Sequence, residues 1–273
     1  MDDDLLKTLT LIGALLFSTP LFAAQLNLEL GASRRTWQSE ELLKHPQVQT
    51  LLIAGDVSYK RDMSYQAVPL AALLTGIKPN DHLQAVALDG FTAELAAAPL
   101  LNTQGARAWL AIEDPTKPWP AISEGKPSAG PFYLVWTDPQ AGNIGPEQWP
   151  FQVSSIKRLA PVAERFPALL PDPALKAGDP VKQGFALFQK NCLTCHRLNG
   201  AGDAQFGPDL NIPFSPTEYF RADFLKRYIR DPQSLRHWPQ AKMPGFTAQV
   251  LPDADLEMLV GYLKHMAGRK IMP

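Results

Sequence analysis

The chain has two cysteines, and both fall in the run Asn191-Cys192-Leu193-Thr194-Cys195-His196-Arg197. Two thiols one helical turn apart can add to the two vinyl groups on one edge of a porphyrin. A histidine directly after them is then held beneath the iron as the proximal ligand. The spacing C-x-x-C-H therefore points to one covalent haem c, attached through Cys192 and Cys195 with His196 on the metal. Three blander chemistries share these residues. A redox dithiol needs a βαβ setting, a structural zinc site needs a further ligand pair that no other cysteine supplies, and a plain disulfide leaves His196 without a purpose.

A sixth ligand must come from a distance, and Met243, in Lys242-Met243-Pro244-Gly245-Phe246, suits that role. A loop methionine turns its thioether inward without disturbing a helix, and Pro244 stiffens the backbone that presents it. A His/Met pair raises the potential of the iron and serves single-electron transfer with no open position. The rivals are Met258, Met266, Met272, His237 and His265. Met266 lies on the apolar stripe of the last helix as core filler, and Met258 falls off that stripe towards solvent. His237, six residues before Met243, is the nearest competitor.

The elements that carry these residues have helical periodicity. Asp179-Pro180 suits an N-cap and first helical position, followed by Val181, Gly184, Phe185 and Phe188 on one face. A middle helix over 222–230 stops before Asp231-Pro232. The last helix places Leu256, Leu259, Val260, Leu263 and Met266 on one stripe, with Asp253, Asp255 and Glu257 near its positive end. Upstream the pattern changes to short strand candidates at 49–57, 83–88, 91–96, 106–113, 131–138 and 149–156, with short helices at 39–45 and 68–74. Asp89-Gly90 between two of them predicts a hairpin with a type I′ turn, which needs positive φ at both central residues. Five prolines between 161 and 180 mark a linker. The fold class is thus multidomain. A mainly-β α+β domain spans 25–165, a Pro-rich linker 166–176, and an all-α domain 177–273.

Residues 1–24 read as a signal peptide, an apolar run ending in small residues, so the chain is expected in the periplasm after export. Asp2, Asp3 and Asp4 replace the usual positive start, and Pro20 shortens the uninterrupted run below a bilayer span. Contact with the membrane follows only if the segment is retained as an anchor. The formal charge of −1 becomes about +1 without it. No dense basic stripe is present, which argues against a nucleic-acid partner.

On these residues the last third of the chain resembles the class I cytochrome c family. The likeness covers about 95 residues through Gly184–His196, Gly207–Leu210, Trp238, Lys242–Phe246 and Val260–His265. It implies a small helical bundle in which Gly184 and Phe188 cross Gly261 and Tyr262, the Pro208 carbonyl accepts a hydrogen bond from His196, and one haem edge faces partners. Residues 25–165 resemble the molybdopterin-binding domain of the sulfite oxidase family, in VPLAALL, ALDGF and GPFYLVW. That family ligates molybdenum with a cysteine of this domain. Here there is none, which implies a metal-free docking platform, and the isolated His45 and His82 are expected as surface or hydrogen-bonded residues.

The expected function is a periplasmic monohaem c-type cytochrome, not an enzyme, passing single electrons from a dehydrogenase to an oxidase or another cytochrome. The alternative is an electron-transfer subunit of a larger dehydrogenase complex, with the N-terminal domain as its docking interface. Lys182, Lys190 and Arg197, near the attachment run, are placed to steer an acidic partner into a small, transient contact.

Overall fold

Alternation of apolar and polar residues builds the first half of the chain into two sheets. The structure is a computed structural model that describes residues 23–204, 206–238, 240 and 243–271, so all but the last two residues of the expected leader lie outside the described residues. Strands β1 (Gln25–Leu30), β2 (Ser33–Gln38), β3 (Gln49–Ile53), β4 (Met63–Pro69), β5 (His82–Ala87), β6 (Thr92–Ala96), β7 (Arg107–Ile112), β8 (Phe132–Thr137) and β9 (Val153–Leu159) form them, with one-turn helices α1 (Ser39–Leu42), α2 (Leu70–Leu73) and α3 (Ala97–Leu100) between. One sheet has the order β2-β1-β9-β5-β6 and the other β3-β4-β7-β8. Among the described residues, only β1 and β9 run parallel. β7 and β8 are buried along almost their whole length, which is why they read as continuous apolar runs rather than alternating ones.

The hairpin at Asp89-Gly90 joins β5 to β6, but the turn is not type I′. Gly90 alone has positive φ, +89°. Its N–H donates to the Ala87 carbonyl (3.1 Å) and the Ala87 N–H to the Phe91 carbonyl (2.8 Å), a three-residue loop closed by a left-handed glycine. Asp89 Oδ1 accepts from Phe91 N–H (3.0 Å), so its side chain supplies the turn that the backbone would otherwise need.

The second half comprises α4 (Val162–Arg165), α5 (Pro180–Asn191), α6 (Pro216–Tyr219), α7 (Ala222–Arg230), α8 (Pro232–Leu235) and α9 (Asp253–Ala267). The Asp179 carboxylate caps α5 by accepting from Val181 N–H (2.9 Å), with Pro180 at N1. α5 crosses α9 where Phe185 and Phe188 pack against Tyr262, with ring centroids 5.6 and 5.4 Å apart. Among the described residues, no helix is long and apolar enough to cross a membrane.

The Pro-rich segment 166–176 is not a spacer. Val162 and Leu169 are buried in the helical core, the Leu169 carbonyl accepts from Tyr262 Oη–H (2.7 Å), and Asp172 N–H donates to His265 Nε2 (3.0 Å). The helical unit therefore begins near residue 162. Proline density marks where the chain leaves the sheet, but the side chains between the prolines are apolar and find a core to bury in.

A buried ionic clamp ties the halves together. Glu94, on β6, accepts from Arg165 (2.7 Å) and Gln84 (2.7 Å) and pairs with His82. Arg165 and Gln84 also donate to Asp203 of the helical half (2.6 and 2.7 Å). Burial alone would raise the Glu94 carboxyl. Hydrogen bonds from His82, Arg165 and Gln84, with the guanidinium charge, outweigh it and hold the carboxyl below its ordinary range. A depressed carboxyl contributes stability that is complete above its unfolded pKa and lost as pH falls through the folded one. The clamp is therefore whole at neutral pH and fails in acid. Arg165→Ala leaves Glu94 buried with two of its three partners, a loss of about 1.5–3 kcal/mol for a hydrogen bond to a charged group. Urea unfolding at neutral pH reads that loss, and limited proteolysis near residue 170 reads the loosening of the junction.

Candidate haem centre

The attachment run leaves the end of α5 as one more tight turn. Cys192 closes the helix, and its carbonyl accepts from both Cys195 N–H (3.0 Å) and His196 N–H (2.9 Å). Helical continuation places the two thiols on the same side. Both are free and half-buried. Burial first, and the Glu147 charge second, push both thiols up, Cys195 to about 11. A dithiol redox site works through a depressed, ready thiolate, so these thiols are poorly placed for that chemistry and suit attachment instead.

His196 is half-buried and its Nδ1 lies 2.8 Å from the Pro208 carbonyl oxygen. A carbonyl only accepts, so Nδ1 carries the proton and donates, which leaves the Nε2 lone pair for a metal. Burial pushes the imidazole below its usual pKa and keeps it neutral. Gly207 lies flat against the ring. A Cβ there would come within 2.5 Å of Nδ1 and Cε1, so only glycine permits this approach. The Gly207 N–H donates to the Cys195 carbonyl (2.7 Å), tying the Pro208 loop back to the attachment turn. Asp209 organises the same loop by accepting from the N–H groups of Asn199, Gly200, Asn211 and Ile212 at 2.7–3.2 Å.

Met243 packs, partly buried, on the hydrophobic cluster that Cys192 and Leu210 also border. Its loop is fixed by Phe246 N–H donating to the Ile229 carbonyl (3.1 Å). The rivals find other places: Met266 is core, Met258 is half-buried, and His237 is exposed. His265 accepts from Asp172 N–H (3.0 Å), and Met272 lies outside the described residues. Two half-buried free thiols, an imidazole with Nε2 free and a thioether on the same core fit a haem as donor set.

Away from this site, His82 pairs with Glu94, and His45 Nδ1 accepts from Gln47 N–H (3.1 Å). Of the three cations expected to steer a partner, Arg197 alone is exposed. Lys182 Nζ donates to the Leu175 carbonyl and Lys190 Nζ to the Asn143 carbonyl of the sheet half, each at 2.6 Å. Lys190 is therefore an interface residue. Gly184 meets α9 at Met258 and Tyr262, whereas Gly261, expected at the same crossing, has nothing within 4 Å.

Sequence reasoning placed Gly207 and Asp209 in the Gly207–Leu210 run without giving either a role, and it missed the residues that dock the sheet half on the attachment turn. Thr194, between the cysteines, is buried and donates to the Thr92 carbonyl (2.6 Å). Phe206 pairs with Phe91 of the β5–β6 hairpin (6.1 Å). Gly207 and Asp209 flank Pro208 and carry a signal there. Thr92 and Asn143 carry none, since only docking makes them neighbours of the site. No curated protein matches the chain. Residues 181–267, which hold Cys192, Cys195, His196, Pro208 and Met243, match the family model for cytochrome c.

Proposed function

We propose that this chain is a monohaem c-type electron carrier that works in the periplasm, taking single electrons from a dehydrogenase and passing them to an oxidase or another cytochrome. The observation that carries the reading is His196, neutral and tied by Nδ1 to Pro208 beside two free thiols. When bound, haem supplies a one-electron couple. Cys192 and Cys195 would hold it covalently, His196 and Met243 would ligate its iron, and the Pro208 carbonyl fixes the imidazole orientation. Thr194, donating to the Thr92 carbonyl of β6, ties the attachment turn to the sheet half.

The sheet half is proposed as a metal-free relative of the sulfite oxidase-type domain. It lacks the cysteine that such a domain presents to molybdenum, and it serves as a fixed platform for the haem domain rather than as a catalyst. Its direct seat on Thr194 and Lys190 supports that role, and leaves room for the chain to act as the electron-transfer subunit of a larger dehydrogenase complex.

Met243→Ala tests the ligand set. The weak near-infrared methionine-to-iron band is expected to vanish and carbon monoxide to bind the reduced variant but not the wild type. Retention of the band, or ready carbon monoxide binding by the wild type, contradicts the assignment and favours another ligand or a gas sensor.

A further inference from the structure

A short 3-10 turn, Pro146–Gln148, connects β8 to β9 and presents Glu147 of the sheet half to the haem domain. Glu147 is buried, and its Oε2 has no hydrogen-bond partner. Asn191, at the end of α5, is also buried, and its Oδ1 is equally without a donor. Both oxygens lie within 4 Å of one point beside Gly145. A Cβ on Gly145 would sit 3.4 Å from Glu147 Oε2, 3.8 Å from Asn191 Oδ1 and 3.1 Å from Val250. Two neighbouring buried acceptors without a donor are rare in native proteins, and each is costly to leave unpaired. A proton on Glu147 would remove the unpaired charge from this buried place.

The charge of Glu147 reaches both cysteines and raises both thiols. Burial pushes its own carboxyl up to about 7, with its own backbone and Lys190 pulling it back. The charged or titratable groups facing it are Lys190 on α5, with Asp255 of α9 behind it, and the two cysteines. Attachment turns the cysteines into thioethers that no longer titrate. A carboxylate in a low-dielectric interface favours the more positive state of a neighbouring centre.

We propose that Glu147 is the residue through which the sheet half tunes the haem: ionised, it lowers the redox potential, and one proton bound there from solvent accompanies the uptake of one electron. This rests on the electron-carrier reading above. It gives the sheet half a function other than docking, as the element that makes electron uptake sensitive to pH.

Potentiometric titration of the haem-loaded full chain across neutral pH tests it, with Glu147→Gln beside the wild type. The wild-type potential is expected to fall as pH rises. The variant is expected to be flat, level with the wild type in acid and above it in alkali. Reduced-minus-oxidised infrared spectra of the wild type alone are expected to show a protonated-carboxyl band that Glu147→Gln lacks. A wild-type potential independent of pH, a variant that follows the wild type at every pH, or no carboxyl band overturns the role of Glu147. A wild type that takes up no haem overturns the electron-carrier reading instead.

Discussion

Replacing Cys192 and Cys195 together by alanine is expected to remove covalent haem from the chain completely, and to unfold the helical half while the sheet half stays folded. The two halves have separate cores, one of residues between 26 and 156 and the other between 162 and 266. The sheet core needs no group from elsewhere, since its buried strands satisfy one another in two ladders. The helical core is different. Cys192, Leu210 and Met243 border it only half-buried, and Cys192 and Met243 are among the residues that would hold a haem. Without the covalent link they stay partly wet, and a small domain has little stability to spare. Haem staining after denaturing electrophoresis is expected to be negative, and calorimetry to lose one of two transitions. A double variant that still retains haem after denaturation contradicts the attachment.

Gly184→Val is expected to destabilise the helical half by more than any surface change, because α5 and α9 touch backbone to side chain at this position. A Cβ on Gly184 would overlap the Met258 carbonyl oxygen and lie 2.7 Å from the Tyr262 Cβ. Neither is the far end of a flexible chain, and Tyr262 is fully buried with its hydroxyl tied to Leu169. The helices must therefore move apart. Overpacking of this kind costs about 3 kcal/mol or more, against which a helical glycine returns only about 1 kcal/mol. The net loss, about 2 kcal/mol for alanine and larger for valine, is read by chemical denaturation followed through the haem absorbance. A Gly184→Val chain as stable as the wild type would show that the crossing lies elsewhere.

The haem motif and the helices that carry it are legible in the sequence because both are local. The C-x-x-C-H spacing sits within five residues, and the Asp179-Pro180 cap and the apolar stripes of α5 and α9 are set by neighbours in the chain. The sheet half is legible where apolar residues run together, as in β7 and β8. It is not legible in β2, whose six residues include Arg34 and Arg35 and bury only Trp37, because pairing with β1 rather than side-chain pattern makes it a strand. β4 was hidden by the helical look of VPLAALL. In the structure Val68 and Pro69 stay in register with Leu110 and Trp109, and the helix keeps only one turn. The clamp of Glu94, Arg165 and Asp203 and the docking of Thr194 on Thr92 depend on residues far apart in sequence. No spacing announces such contacts, which explains why Lys190 reads as a solvent-facing cation and is an interface residue.

One covalent haem with two protein ligands is what would make this chain an electron carrier. The most direct measurement is an optical and elemental assay of the full chain produced with haem-maturation machinery. One iron per chain, haem that resists acid extraction, reversible oxidation and reduction, and no reaction of the reduced protein with carbon monoxide are the expected results. Haem that is extracted by acid, molybdenum or another metal at one per chain, or ready carbon monoxide binding would contradict it.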